Sequence, residues 1–351
     1  MSSLPCGTRN YSYAEDMAIV RTKTQWALLV GLLILLLILP FSLSNFWLRT
    51  INIIGITIIA VTGLNILTGY CGQLSIGHTG FMAVGAYTSA ILTAKLGVPF
   101  PAALICAGLV AGGIGLLFGI PSVRVKGFYL AITTIAAYFI IKWVIDHWSA
   151  LTGGFNGITV PYPSIGGLVL DSNLSQYFLI IGLTVAVIFF AKNLARTRVG
   201  RAFIAIRDND LAAEVMGVNL FYYKLLAFFI GCFLAGIAGS LMAHSVGLIT
   251  MDNFPFMDSV LYVGIIIIGG LGTTLGPILG TLLIRLLGVL VIFISPAMKA
   301  WFPGLTGGFT NGIAPMLFGL VIVLFLVLEP RGLAHRWNLF KASYRLWPFS
   351  Y

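Results

Sequence analysis

The sequence predicts an all-α polytopic integral membrane protein of about ten transmembrane segments, some short or broken, with both termini cytosolic. Three observations carry that prediction. Apolar residues make up 59% of 351 and charged residues only 9%, against about 25% charged in an ordinary soluble chain. Runs without a single charged side chain cover residues 50–94, 96–123, 225–251 and 300–328, more apolar chain than a layered soluble core could hide. Glycine is frequent, at 41 residues, as it is in bundles whose helices approach closely in lipid.

A span takes about 20 mostly apolar residues. That length places segments at 27–45, 50–68, 79–94, 101–121, 127–145, 175–191, 222–243, 258–272, 276–295 and 311–328. The third, eighth and tenth are short, and Gly and Pro interrupt several others. A polar cytosolic tail, 1–26, precedes the first run, which is long enough to span and argues against a cleaved signal peptide. A second cytosolic tail, 329–351, follows the last span. Ten spans with a cytosolic start put fifteen of the twenty basic residues on the cytosolic side, from Arg9 and Arg21 through Arg124, Lys126 and the 192–224 cluster to Arg345. Arg49, Lys95, Lys142, Arg285 and Lys299 remain for the outside or the spans, and Asp146, Asp171, Asp252 and Asp258 fall at the outer face. The bias of Lys and Arg to cytosolic loops fixes this orientation. It also accounts for the net charge of +10 with no nucleic acid partner.

Chemistry is sparse. Cys6, Cys71, Cys106 and Cys232 show no C-x-x-C spacing, and the last three sit in or beside apolar segments as small hydrophobes. Histidines at 78, 147, 244 and 335 form no H-E-x-x-H or metal cluster, and no G-x-S-x-G elbow is present. Gly269, Gly270 and Gly272 resemble a phosphate loop only superficially, because no G-K-[ST] and no strand–turn–helix context accompanies them. No catalytic residue, metal site or cofactor is expected on this chain. Polar groups inside the spans are Asn65, Thr133, Thr134, His244 and Arg285; His244 is expected to be a satisfied structural histidine. Lys142 and Asp146, four apart, are expected to form a helix-end pair. No Asp or Glu stands clearly mid-span, where an ion-driven carrier often has one. The stretch LTGGFNGI (151–158) is echoed by LTGGFTNGI (305–313), a match too short to establish an internal duplication.

The cytosolic loop 192–221 is the most informative soluble segment. Its order predicts two short helices. Phe203, Ile204 and Ile206 form an apolar patch within Arg201–Arg207, Asp208 or Asp210 can cap a second helix, Leu211 and Val215 share one face, and Gly217 suits the left-handed position that ends it. A surface helix offering apolar and charged residues to the cytosol is expected to be a docking element rather than a simple anchor. The other distinctive stretch is GYCGQLSIGHTG (69–80), placed by the orientation at the cytosolic ends of the second and third spans. There it is expected to form a joint packed inside the bundle, with Gln73, Ser75 and His78 satisfying backbone groups freed where helix geometry breaks. Direct solute contact is the alternative.

These stretches, in order, resemble a known family. The segments at 63–92, 119–135, 151–158, 196–241, 265–280 and 329–333 are together similar to the LivM-type permease of branched-chain amino-acid ABC transporters, the high-affinity branched-chain amino-acid uptake system. The resemblance implies that 27–328 is a permease domain in a bacterial inner membrane, translocating Leu, Ile, Val or related hydrophobic amino acids. Permeases similar to this one also serve urea, short amides and small aromatic or organic acids; a stand-alone carrier or channel is the distant alternative. It implies a homologous LivH-like permease as heterodimer partner, two cytosolic ATPases resembling LivG and LivF, and a periplasmic solute-binding protein. ATP and Mg2+ would be bound by those ATPases, not here. The ATPase coupling loop would contain Arg201, Arg207, Asp208, Ala212, Ala213 and Gly217, the last three in the Ala-Ala-x-x-x-Gly positions of the permease loop motif, while Leu211 stands where the general motif has Glu. Gly217 would set the loop's turn, and Arg201 and Arg207 would contact the ATPase or the membrane surface. Asn65, Gln73, Ser75, His78, Thr133 and Thr134 are the transport-path candidates.

Overall fold

A computed structural model describes residues 23–123, 127–301, 307–329 and 331–346. The tail expected over 1–26 lies outside the described residues up to residue 22, as do Arg9, Arg21, Arg124, Lys126, Trp347 and Tyr351. The helices are α1 (Lys23–Ile38), α2 (Asn45–Leu64), α3 (His78–Ala94), α4 (Phe100–Val123), α5 (Phe128–His147), α6 (Asn173–Leu194), α7 (Arg198–Asp208), α8 (Asp210–Val215), α9 (Leu220–Val246), α10 (Phe256–Gly269), α11 (Gly276–Trp301), α12 (Gly307–Leu328) and α13 (Leu333–Leu346).

Among the described residues, seven helical stretches are long and apolar enough to cross a membrane: Asn45–Tyr70, Phe100–Pro121, Tyr129–His147, Asn173–Leu194, Leu220–Val246, Met251–Gly269 and Gly276–Phe293. Trp26–Phe41 and Met316–Phe325 are shorter apolar helices. Each of the ten expected segments overlaps a helix, the third being α3, although residues 42–44 of the first and 270–272 of the eighth are not helical.

The all-α expectation needs one amendment. Two-residue strands β1 (Ile158–Thr159) and β4 (Leu248–Ile249) pair antiparallel, as do β2 (Ser164–Ile165) and β3 (Leu168–Val169). These ribbons sit where α9 ends, opposite the end where α7 and α8 lead into it. Twenty-seven residues of α9 set the two ends roughly 40 Å apart.

The core is built on α2, α3, α4 and α9. From Ile54 to Leu64 every residue of α2 is buried, so this half of the helix has no lipid face. Lipid supplies little driving force between apolar helices, and close backbone approach has to substitute for it. The α3–α9 crossing does this with glycine. A Cβ on Gly239 would stand 1.9 Å from the Met82 carbonyl oxygen, and one on Gly85 would stand 2.3 Å from the Cα of Gly236. Outward side chains such as Leu109, Leu117, Phe139, Phe189 and Phe293 are exposed, the lipid-facing counterpart of that core.

The ionisable groups at the helix ends near the β1–β4 ribbon behave as helix-end partners. Lys142 and Asp146 pair at 3.3 Å, and Lys95 donates to the carbonyls of Ala150 and Leu151. His244 is satisfied on both ring nitrogens, by Ser89 at 3.0 Å and the Pro161 carbonyl at 2.8 Å, as the sequence predicts.

Candidate functional site: a broken-helix joint and a charged cavity

The α-helical winding of α2 gives way at Asn65 to a six-residue π-helical turn, Asn65–Tyr70. Such turns release backbone groups from their usual partners and recur at functional sites. Asn65 is 1% exposed, and its amide grips the turn before α11. Nδ2 donates to the Thr273 carbonyl at 2.9 Å, and Oδ1 accepts from the Gly272 N–H at 3.0 Å.

The chain then turns back into the bundle. His78 Nε2 donates to the Ala60 carbonyl at 3.0 Å, ten residues up from Tyr70, or about 15 Å of helix. This corrects the placement of Gly69–His78 at the cytosolic ends of two spans: the Gly69 end lies beside α7, while α3 begins deep inside. The physical reason is that residues 72–77 run without helical winding, and extended backbone covers about twice the distance per residue. A Cβ on Gly77 would lie 2.0 Å from the Thr134 carbonyl oxygen, so only glycine passes there.

The backbone groups freed by this path are served differently from the expectation. Thr68 Oγ1 donates to the Gln73 carbonyl, and the Gln73 N–H donates to Leu67. The Ile76 N–H donates to Thr134 Oγ1 at 3.0 Å, and the Thr79 N–H to Ser259 Oγ at 3.0 Å. His78 plays the expected part. Gln73 and Ser75 do not: Gln73 Oε1 and Ser75 Oγ are buried without a hydrogen-bond partner, as is His78 Nδ1. Thr134 joins the joint, whereas Thr133 bonds only within its own helix, to Tyr129. Beside the turn, burial pushes the Cys71 thiol up to about 12, with Lys224 opposing the rise.

The segment 192–221 folds as two helices with a cap on each. Thr197 accepts from the Gly200 N–H at the start of α7, and Asn209 accepts from the Ala212 N–H at 3.1 Å at the start of α8. Asn209, not Asp208 or Asp210, is the cap of α8. Asp208 is the last residue of α7 and holds Arg207 at 2.9 Å, and Asp210 pairs with Lys224 at 3.7 Å. Gly217 has φ +86°, the left-handed position expected of it.

The apolar patch of α7 faces the bundle: Phe203 and Ile206 are buried, and Phe203 meets Tyr223 edge-on. The outward apolar face belongs to α8 and its end, where Leu211 is exposed, Val215 is 86% exposed and Met216 83%. Ala213 is buried and Ala212 exposed. Arg201 donates to the Arg196 carbonyl. Arg207 reaches inward, its Nη1 donating to the Gly69 carbonyl at 3.1 Å. The surface helices and the broken helix are therefore directly bonded.

Above the joint lies a cavity of about 150 Å3, lined from α2, α3, α10 and α11 by Thr57, Thr79, Met82, Asp258, Tyr262 and Arg285 among others. Thr79 meets Ser259 at 2.6 Å beside it, so the first turns of α3 and α10 converge here. The transport-path candidates named from the sequence lie mostly below this space. Asp258 and Arg285 were not among them. The available signal was Arg285 itself, the only charge between Asp258 and Lys299, since an ionisable residue inside a span marks a functional site by default.

Comparison with known proteins agrees with this architecture. The family model described as branched-chain amino acid transport system / permease component matches residues 45–327. The high-affinity branched-chain amino acid transport system permease protein LivM of Escherichia coli K12 is 31% identical, over 89% of this chain and 75% of that protein. The ribose import permease protein RbsC of Haemophilus influenzae is 26% identical, over 77% of this chain and 84% of its own length. The autoinducer 2 import system permease protein LsrC of an Enterobacter strain is 32% identical over 42% of each chain. No solved structure matches. The chain belongs to the permease-component family of branched-chain amino-acid transport systems.

Proposed function

We propose that this permease is one membrane subunit of an ATP-driven importer for Leu, Ile, Val or related hydrophobic amino acids, acting in a bacterial inner membrane. It works beside a homologous LivH-like permease, two ATPases resembling LivG and LivF, and a periplasmic binding protein that delivers the solute. Both termini are cytosolic and ten segments span. The observation that carries the reading is the bond from Arg207 to Gly69, which joins α7, the helix that leads into the exposed face of α8, to a broken helix inside the bundle. Similarity to LivM over 89% of the chain supports the substrate class.

In this reading, closure of the ATPase pair pushes on Leu211, Val215 and Met216. Helix α7, seated through Phe203 and Ile206, carries the push to the π-helical turn through Arg207. Asn65 passes it to the turn at Gly272 and Thr273, and so to α10 and α11, which line the cavity. The chain makes no bond chemistry of its own; energy enters at α8 and leaves as a change in which side the cavity faces.

The test is uptake into proteoliposomes containing the permease pair and ATPases, with the binding protein outside. Saturable uptake of labelled leucine that requires ATP is expected, with no competition from urea or ribose. Uptake without ATP or without the ATPases would sink the importer reading. Uptake of urea or ribose in preference to leucine would replace the substrate.

A further inference from the structure

The cavity carries one cation and one anion that do not neutralise each other directly. Among the described residues no ion pair within 4 Å joins Asp258 to Arg285, though both line the same space. Arg285 is held from behind: its Nη2 donates to Thr57 Oγ1 at 2.9 Å, and that hydroxyl is itself fixed by donating to the Ile53 carbonyl at 2.8 Å. The guanidinium still has capacity, because its Nε is buried without a partner. A buried charged donor left unpaired is costly, and a fixed guanidinium fork matches a carboxylate.

The neighbouring helix supplies Asp258, in the first turn of α10. Ile53, Ile56, Met82, Met242 and Phe254 give the space apolar wall, and Thr57, Thr79, Asn253 and Tyr262 add uncharged polar groups. The volume, about 150 Å3, is below the ~300 Å3 at which pockets for drug-sized ligands begin. A solute for this space is small, has an apolar portion, and bears a negative and a positive group at different ends.

We infer that this cavity is a membrane subsite for a single zwitterionic α-amino acid, Arg285 receiving its carboxylate and Asp258 its ammonium group. The assignment rests on the amino-acid reading of function and deepens it by placing the solute. A sugar or urea has no charges for these two half-buried groups to meet, and would leave the buried Arg285 Nε without a charged partner. The converging first turns of α3 and α10 put the subsite where discontinuous helices meet inside the bundle, an arrangement that suits solute binding away from either membrane face.

The test measures binding of labelled leucine to the membrane complex in nanodiscs, permease pair with ATPases and no binding protein, alongside uptake in proteoliposomes. Arg285→Gln and Asp258→Asn are each expected to weaken leucine binding roughly tenfold to a hundredfold, the range for a hydrogen bond to a charged group. Arg285→Lys, which keeps the charge, is expected to lose less. Leucinamide, which lacks the carboxylate, is expected to be refused by the wild type and to bind the Arg285→Gln complex no worse than leucine. Met242→Trp fills the cavity from an uncharged wall and is expected to abolish binding, which keeps the test decisive if a charge variant fails to assemble. Leucine uptake with unchanged binding in Arg285→Gln, Asp258→Asn and Met242→Trp would overturn the subsite and leave the importer reading standing. Wild-type complexes that take up another solute and no amino acid would overturn the importer's substrate, and this assignment with it.

Discussion

Replacing Asn65 distinguishes a structural clamp from a solute contact. Its amide holds two backbone groups, the Thr273 carbonyl and the Gly272 N–H, at 2.9 and 3.0 Å. Asn65→Ala removes both bonds. A buried hydrogen bond contributes about 1 kcal/mol net, and an orphaned partner costs more where water cannot reach it. Gly272 and Thr273 are half-buried, so water recovers part of the loss and the total is about 2 kcal/mol. For a domain of this size that corresponds to a fall of about 4 °C in Tm. Asn65→Asp is the sharper probe. It keeps an acceptor for Gly272 but sets a second acceptor against the Thr273 carbonyl at a position that is 1% exposed, so it is expected to be at least as destabilising as alanine despite its closer shape. Thermal unfolding of the purified complex, followed by intrinsic fluorescence, reads both. If Asn65→Ala melts with the wild type while leucine KM rises severalfold, the clamp reasoning is refuted and Asn65 belongs to the solute path.

Four further outcomes follow from the same geometry. Arg207→Gln breaks the bond to Gly69, and is expected to lower leucine transported per ATP hydrolysed at least severalfold while the ATPases still co-purify; an unchanged ratio counts against the linkage. Val215→Asp puts a charge in the exposed apolar face of α8, and is expected to reduce ATPase co-purification without changing the Tm of the permease pair, because the side chain is 86% exposed. Gly77→Ala forces a Cβ to within 2.0 Å of the Thr134 carbonyl oxygen and is expected to cost about 1–3 kcal/mol by overpacking, seen as a lowered Tm. With its thiol pushed up to about 12, Cys71 is expected to stay protonated and unreactive toward maleimide from pH 7 to pH 9 in a background where Cys6, Cys106 and Cys232 are alanine. Denaturant should restore labelling as the thiol returns to its usual range, and rapid native labelling at pH 8 would contradict the burial.

What the sequence discloses depends on whether the cause is local. The two short helices α7 and α8 and their ending at Gly217 were legible because caps, amphipathic spacing and a left-handed glycine act within a few residues. The choice of cap was not. Three polar residues, Asp208, Asn209 and Asp210, compete there, and Arg207 and Lys224 engage the two aspartates, leaving Asn209 with extended backbone and a free side chain to take the Ala212 N–H. Apolar run length gave the positions and order of the apolar helices, but hydropathy carries no depth. Nothing in GYCGQLSIGHTG states that α3 starts beside Ala60. The partners of its freed backbone come from Thr134 and Ser259, 58 and 180 residues away from the groups they serve. Asp258 was read only as an outer-face residue for the same reason: nothing near it in the sequence says that it lines one cavity with Arg285.

The depth at which α3 starts bears on how a push could travel. A flexible link would absorb motion, yet the beginning of α3 is fastened to three elements at once: to α2 through His78 and Ala60, to α5 through Ile76 and Thr134, and to α10 through Thr79 and Ser259. Gly77, wedged on the Thr134 carbonyl, leaves no slack. Packed interiors shift between discrete arrangements rather than deforming continuously. A displacement entering at Gly69 is therefore not dissipated at the joint, and the groups with room to respond are those bordering the empty space, on α10 and α11. That places the expected movement at Asp258 and Arg285, the two charges whose separation would open or close around a bound zwitterion. Cross-linking tests the step: cysteines at Thr57 and Tyr262, both on the cavity wall, should change their bridging yield between ATP-bound and nucleotide-free complexes, whereas a pair at Ile76 and Thr134, fastened at the joint, should not.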